Sequence, residues 1–325
     1  MPTTRSLFLP LAALCGLLLS APASAQDAYP SRPVKVVVAL PAGGSVDMVA
    51  RLVSQQLSAD LGQPFVVDNR AGASGQIGVP LVARAAPDGY TLMVSPASFL
   101  TTNKSIFKTL PYNPETDFAP VTKLVNQAMV LVVRDKARFA TAAKVLAAAR
   151  AAPGMLTYAS SGDGSPQHLV GLLFESRTGA KLLHVPYKGG APAITDLIGG
   201  QVDMVFAPLP EALPHLKGGK LHAVGVLSDK RAVSAPDIPT LREGGIDNVV
   251  LSAWIGLLAP ARTPQAVLDK LDRSVKTLLR GAAKARLLEA GMEPATEDAM
   301  PLAQVIAQEI RLHADLVKAA GLVPQ

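Results

Sequence analysis

The sequence predicts an α/β fold built as two units, and three observations carry that reading. Short β-branched runs recur along the chain, each followed by a turn and then by an apolar pattern of helical period. Glycine-rich loops stand at strand-to-helix junctions in both halves, as in VKVVVALPAGGSVDM at Val34–Met48 and YASSGDGSPQHL at Tyr158–Leu169. Between the halves lies LPYNPETDFAP, Leu110–Pro120, a turn-rich link with three prolines that marks a passage from one unit to the next.

Met1–Ala25 combines an early charge at Arg5, an apolar segment Leu7–Leu19 and the small-residue end Ala23-Ser24-Ala25, the pattern of a secretory signal peptide cleaved before Gln26. Interrupted by Pro10, the segment is too short for a bilayer span, which takes about 20 apolar residues. Cys15 follows Leu14, where a lipoprotein site would want a small residue, so no lipid anchor is expected. Cleavage removes the sole cysteine, leaving no disulfide, thiol nucleophile or cysteine metal site. The remaining 300 residues (325 minus 25) suit two domains, and 49% hydrophobic content over the full chain is enough for two cores. Loss of Arg5 takes the formal charge from +6 to +5, a modest and dispersed excess. With aromatics at 4% and no basic run, nucleic acid is not an expected partner; a small anion suits this charge better.

In the first unit, Val36–Leu40 reads as a buried strand closed by Pro41. Gly43 and Gly44 turn the chain, and Ser45 is placed to cap a helix with Val46, Val49, Ala50, Val53 and Leu57 on its apolar face. Such a junction aims unpaired backbone N–H groups and the positive end of a helix dipole at one point, a place suited to an anion. A second stretch of the same build, FVVDNRAGASGQIG at Phe65–Gly78, ends its strand in Asp68-Asn69-Arg70 and starts a helix near Gly75. Two such loops at strand carboxyl ends would face one crevice. A helix over Val79–Ala85, the turn Pro87-Asp88-Gly89 and a strand Tyr90–Val94 follow. Ser95 and Ser98 then stand where a third strand would meet the same crevice, as ligand contacts or as caps.

In the second unit, β-rich runs at Ala119–Val125 and Met129–Val133 precede a helix over Thr141–Ala152. Strands at Leu156–Ala159, Leu182–Val185 and Val202–Phe206 alternate with helices at Gln167–Thr178 and Ala191–Ile198. The loops Ser160–Ser165, Pro186–Gly190 and Ala207-Pro208 form this unit's rim, where Lys188 reads as solvated. Leu221–Leu227 reads as a returning strand and Ser252–Ala259, with the only tryptophan, as another. Helices fill Pro264–Arg280, Lys284–Ala290 and Pro301–Ala320.

Catalytic patterns are absent from the sequence. G-x-S-x-G is missing around Ser74 and Ser161, no G-x-G-x-x-G or Walker A sequence is present, and the histidines lack metal-ligand spacing. His168, in the first turn of its helix, reads as a partly buried structural residue. Neither a metal nor a cofactor is expected.

Taken together, PAGGSVD, VDNRAGASGQIG, PDGYTL, YASSGDGSPQHL, HVPYKGGAPAITDLIGGQVDMVF and PDIPTLREGG resemble the receptor proteins of tripartite tricarboxylate transporters, the Bug family, across essentially the whole mature chain. The resemblance implies a type II periplasmic binding protein fold, two α/β domains joined by two crossing strands and closing on a ligand in the cleft. It implies that a ligand carboxylate is gripped between the first two loops, which match Ala42, Gly43, Gly44 and Ser45, and Ala73, Ser74 and Gly75. The candidate contact set adds Asp47 and Ser98 and, from the second unit, Ser161, Gly164, Ser165, Gly189 and Asp203. Asp47 has two readings, support of the first helical turn or acceptance of an amino group from an amino-acid ligand.

The expected division is a signal at 1–25, domain 1 at 26–120 and 226–325, and domain 2 at 121–225, with the crossings in Val121–Val133 and Leu221–Leu227. The expected function is that of a monomeric periplasmic receptor, not an enzyme. It would deliver a small carboxylate, an organic acid or amino acid, to the membrane components of such a transporter. The alternatives are a secreted enzyme acting on a small organic anion and a ligand-gated sensor partner.

Overall fold

The computed structural model describes residues 29–296, 300–319, 321 and 324, so the leader read at 1–25 lies outside the described residues. The first unit is laid down by β1 (Val34–Val38), α1 (Ser45–Leu61), β2 (Phe65–Asn69), a 3-10 turn at Ala73–Gly75, α2 (Val79–Ala83), β3 (Thr91–Pro96), α3 (Ala97–Thr101) and α4 (Asn103–Ile106). β1 lies between β2 and β3, parallel to both. Its four valines are buried and Lys35 is exposed, as a strand covered on both faces requires. α1 buries Val46, Val49, Ala50, Val53 and Leu57 as its period demands, but the helix begins at Ser45 and its N-cap is Gly44. The helix expected near Gly75 is only the 3-10 turn, because the chain from Gly72 to Gly75 holds positive φ throughout.

The second unit follows with β4 (Phe118–Val133), α5 (Ala142–Ala151), β5 (Thr157–Ser160), α6 (Pro166–Thr178), β6 (Leu183–Pro186), α7 (Gly190–Gly199), β7 (Met204–Pro208), α8 (Leu209–Lys217) and β8 (His222–Val226). The two expected β runs at Ala119–Val125 and Met129–Val133 are one strand. Asn126 and Gln127 interrupt the apolar pattern but not the ladder, where they pair with Trp254 and Ala253. β5 is parallel to β6 and β7, while the distal part of β4 runs antiparallel to β7 and β8.

The chain then enters β9 (Ser252–Pro260), α9 (Gln265–Arg280), α10 (Lys284–Glu289), β10 (Glu293–Pro294) and α11 (Leu302–Ala319). β9 sits antiparallel between β3 and β4, so the strand order is β2-β1-β3-β9-β4-β7-β5-β6. β4 is thus shared, its first part in one sheet and Met129–Val133 in the other. The return does not fall within Leu221–Leu227: β8 pairs inside the second sheet, and Leu241, Ile246, Val249 and Leu251 stay buried in that unit's core. The chain re-enters the first sheet at Ser252. A third link is α11, which buries Ile306 and Ile310 in the first unit and Leu316 and Val317 in the second. Two apolar clusters flank each sheet, so each unit has a core independent of the cleft between them.

Candidate functional site

The cleft begins at the carboxyl end of β1. Gly43 has φ of 91°, which only glycine takes without strain, and it turns the chain so that Gly44 caps α1. Among the described residues, no acceptor meets the N–H groups of Ser45 and Val46 in the first turn of α1. Gly43 N–H is spent differently, on Asp47 Oδ2 at 3.0 Å. Asp47 is 4% exposed, and it also accepts from Arg51 Nε at 2.9 Å and Asn69 Nδ2 at 3.0 Å. Burial alone works to raise its pKa. The bonds from Arg51, Gly43 and Asn69 outweigh that and hold the carboxyl below its ordinary range. Asn69 closes the network by donating to Leu40 O at 3.2 Å, so Asp47 pins the first loop to the end of β2. It lines neither cavity of the cleft, and of its two readings the geometry fits support of the loop.

The second loop is held in a costly shape. Gly72, Ala73, Ser74 and Gly75 have φ of 132°, 46°, 52° and 87°, two of them non-glycine. A Cβ on Gly75 would stand 2.7 Å from the Phe99 ring, so only glycine fits against it. Ser74 O accepts from Asn103 Nδ2 at 2.9 Å; that amide also donates to Tyr112 Oη at 3.0 Å, and Tyr112 in turn donates to Phe99 O at 2.6 Å. Burial pushes the Tyr112 phenol up to about 12, so it stays a donor at every working pH. This chain of bonds fixes Ser74 at the wall of the cleft.

An inner cavity of about 400 Å3 is bordered by Ser45 and Ser74, by Ser98 after β3, and by Ser161, Gly164, Ser165 and Gly189 of the second unit. An outer cavity of about 700 Å3 opens beside Gly43, Gly44 and Ser45, opposite α7 and α8. Both volumes fall in the range of small-molecule sites. Ala42, Ala73, Gly75, Asp47 and Asp203 border neither. Asp203 lies away from the cleft because its carboxylate accepts from Thr157 N at 2.9 Å, Thr157 Oγ1 at 2.8 Å and Arg138 at 3.2 Å, tying the start of β5 to β7. Two of the second-unit polar groups are internally engaged: Ser161 Oγ donates to Gln167 Oε1 at 2.6 Å, and Gly164 N–H donates to His168 Nδ1 at 3.0 Å.

Sequence reasoning missed many residues that border the cavities, and four of them bear on the site's chemistry. Gln127 borders the inner cavity, is 6% exposed, and its buried Nε2 has no partner among the described residues. Trp254 donates Nε1 to both Glu309 oxygens at 3.0 Å, and burial pushes that carboxyl up to about 7. The fourth is Glu211 in the first turn of α8, which borders both cavities. The signal available was the break in the apolar pattern of β4 at Gln127; nothing in the spacing marked Glu211 or Glu309.

One cluster has the contacts of a catalytic set. Ser160 Oγ lies 2.6 Å from His184 Nε2, and His184 Nδ1 lies 3.5 Å from Asp163 Oδ1. Ser160, however, is fully buried, borders neither cavity and also accepts Gly162 N–H at 3.1 Å, so no substrate atom reaches it. Asp163, His168 and His184 also fail as a metal centre: the imidazoles stack at 3.8 Å with planes 12° apart, which sets their in-plane lone pairs side by side. Burial, and after it the adjacent His168, push His184 down to about 4; burial lowers His168 too. The rings are a neutral stack behind the loop.

The chain is similar over 305 residues to the protein BugT of Bordetella pertussis, at 37% identity and with 93% of each chain covered. Among solved structures it is similar to R. palustris Rpa4515 with adipate, at 34% identity and a TM-score of 0.82, covering 91% of this chain and all of that one. It is also similar to MatC from Rhodopseudomonas palustris with bound malate, at 33% identity and a TM-score of 0.77, covering 89% of this chain and all of that one. These likenesses show the two-domain α/β architecture of periplasmic binding proteins, in accord with the pairing above. The tripartite tricarboxylate transporter family receptor model matches residues 49–322. The chain belongs to that receptor family.

Proposed function

We propose that this receptor captures a small carboxylate between its two units and delivers it to the membrane components of a tripartite tricarboxylate transporter. The observation that carries the reading is the α1 N-terminus, where the N–H groups of Ser45 and Val46 meet no acceptor among the described residues, beside a cavity also bordered by Ser74 and by the second unit's loops. The contact set we assign is Gly43, Gly44, Ser45, Ser74, Ser98, Ser161, Gly164, Ser165 and Gly189, with Gln127 added. Adipate and malate in the two similar structures agree with a carboxylate. The division we assign runs through β4 and the passage at 251 to 252, which together act as the hinge. The protein works as a monomer in the periplasm after cleavage behind Ala25, and no helix among the described residues is long and apolar enough to cross a membrane.

Capture without turnover is the expected behaviour. Native mass spectrometry of gently purified protein should show a bound organic acid, and that acid should be recovered unchanged after incubation. Conversion of the acid would establish the enzyme instead, and the absence of binding by any carboxylate would end the receptor reading.

A further inference from the structure

The cleft has an unused acid at its centre. Among the described residues, two border both the inner and the outer cavity: Ser45, at the α1 N-terminus, and Glu211, on the opposite wall. They flank the neck between the two spaces. A ligand that presents a carboxylate to Ser45 therefore extends toward Glu211. Glu211 is open to water in the cleft and takes no hydrogen bond or ion pair from any described residue.

Gly189 and Gly190 open α7, and a Cβ on Gly190 would collide with Glu211 Oε2, so the Glu211 carboxylate stands directly against that helix start. The inner cavity offers no compensating cation: its bordering residues include Asp163, Glu211 and Glu309 but neither lysine nor arginine. His313 is the one base there, and burial pushes it down to about 4 with Nδ1 engaged by Thr102 at 3.1 Å. Lys217 and His215 border only the outer cavity, beyond Glu211 on the last turn of α8. A dicarboxylate would thus set its far end against an acid with no counter-charge, whereas an ammonium group there would meet the missing partner.

We propose that Glu211 determines specificity by accepting an ammonium group of the ligand, so that the cleft selects a carboxylate bearing a cationic amine over a dicarboxylate of the same length. The proposal rests on the carboxylate reading above and identifies the class within it. The test is calorimetric titration of the mature protein with matched sets: succinate, aspartate and 4-aminobutyrate; glutarate, glutamate and 5-aminopentanoate; adipate, 2-aminoadipate and 6-aminohexanoate. At least one amine-bearing member should bind tenfold or more tightly than its dicarboxylate. In Glu211→Gln that preference should fall at least tenfold, with the melting temperature of the unliganded protein kept. Tighter binding of the dicarboxylates, or a preference unchanged in Glu211→Gln, overturns the role of Glu211 and leaves the carboxylate reading standing. Binding of none of the nine at millimolar concentration overturns both.

Discussion

Replacing Gly44 by aspartate separates the stability of the first loop from its function. Gly44 has φ of −81° and ψ of 174°, ordinary for any residue, and a Cβ built there meets nothing within 4 Å. Aspartate is also a better N-cap than glycine, so the unliganded variant should gain a few tenths of a kcal/mol at most. The new carboxylate, however, stands where we propose that the ligand's carboxylate is held. Two like charges about 4 Å apart at an effective dielectric near 20 repel by about 4 kcal/mol, roughly a thousandfold in affinity. Ligand at about a hundred times the wild-type dissociation constant stabilises wild type by roughly 2.7 kcal/mol, whereas the variant should gain less than about 0.1 kcal/mol. In a chain of this size that is a thermal shift of roughly 4 °C, present in one protein and absent in the other. Ser74→Asp should behave alike, because aspartate tolerates the φ of 52° at Ser74. Lys188→Ala, at an exposed position bordering neither cavity, should change nothing. A full ligand shift in both aspartate variants would falsify the assignment of the anion to these two loops.

Asp47→Ala should unfold at lower denaturant, by about 3 kcal/mol, since it removes three bonds from a buried carboxylate, and should weaken ligand through the loosened loop. Unchanged stability with lost binding would return Asp47 to direct contact with ligand. Gly75→Ala should cost about 2 kcal/mol or more because of the Phe99 ring and the positive φ; a neutral outcome counts against the rigid second loop. Acid stability depends on opposed groups. His184 and His313, held at about 4, contribute stability that is complete above about pH 6.5 and is lost as pH falls through 4. Glu309, raised to about 7, contributes in the opposite sense, with stability present below about pH 4.5 and lost as pH rises through 7. Glu309→Gln should therefore show a steeper rise of stability between pH 4.5 and 6.5 than wild type, by up to about 1.4 kcal/mol per pH unit, in chemical denaturation. An identical profile would place Glu309 at its ordinary pKa. Small-angle scattering should show a smaller radius of gyration with ligand, and unchanged profiles across all ligand concentrations would argue against the hinge.

The elements legible in the sequence were those whose signals are local. The valines of β1, the helical period from Val46 to Leu57 and the alternation from Leu156 to Phe206 each declare burial within a few residues of themselves, and the structure keeps all of them. The misplacements have a common origin. The polar pair Asn126-Gln127 reads as a break, yet backbone pairing to β9 carries the strand through it. Leu221–Leu227 reads as a crossing because it is apolar, but the choice of sheet is made by Leu241, Ile246, Val249 and Leu251, which follow in a segment with no regular period. Pairing partners are nonlocal, so a strand can be recognised from its residues without its sheet being known.

The same distinction divides the site. Gly43, Gly44, Ser45 and Ser74, which we assign to the ligand, stand out in the sequence because a glycine turn ahead of a helix implies its own chemistry: the donors are backbone groups that any sequence supplies once the turn forms. Asp47 and Asp203 also stood in the candidate contact set. Their carboxylates instead meet Asn69 and Thr157 through contacts that only the folded chain creates. Glu211 is the converse case. In sequence it is an acid in the first turn of a helix, an ordinary place for one. Its surroundings become unusual only when the first unit faces it across the cleft, with Ser45 on the far side of the neck and Gly190 leaving no side chain between. On the proposed reading, affinity for the anion is written locally, in one unit, and specificity across the cleft, in residues whose neighbours come from the other unit, which is why only the folded chain brings the latter into view.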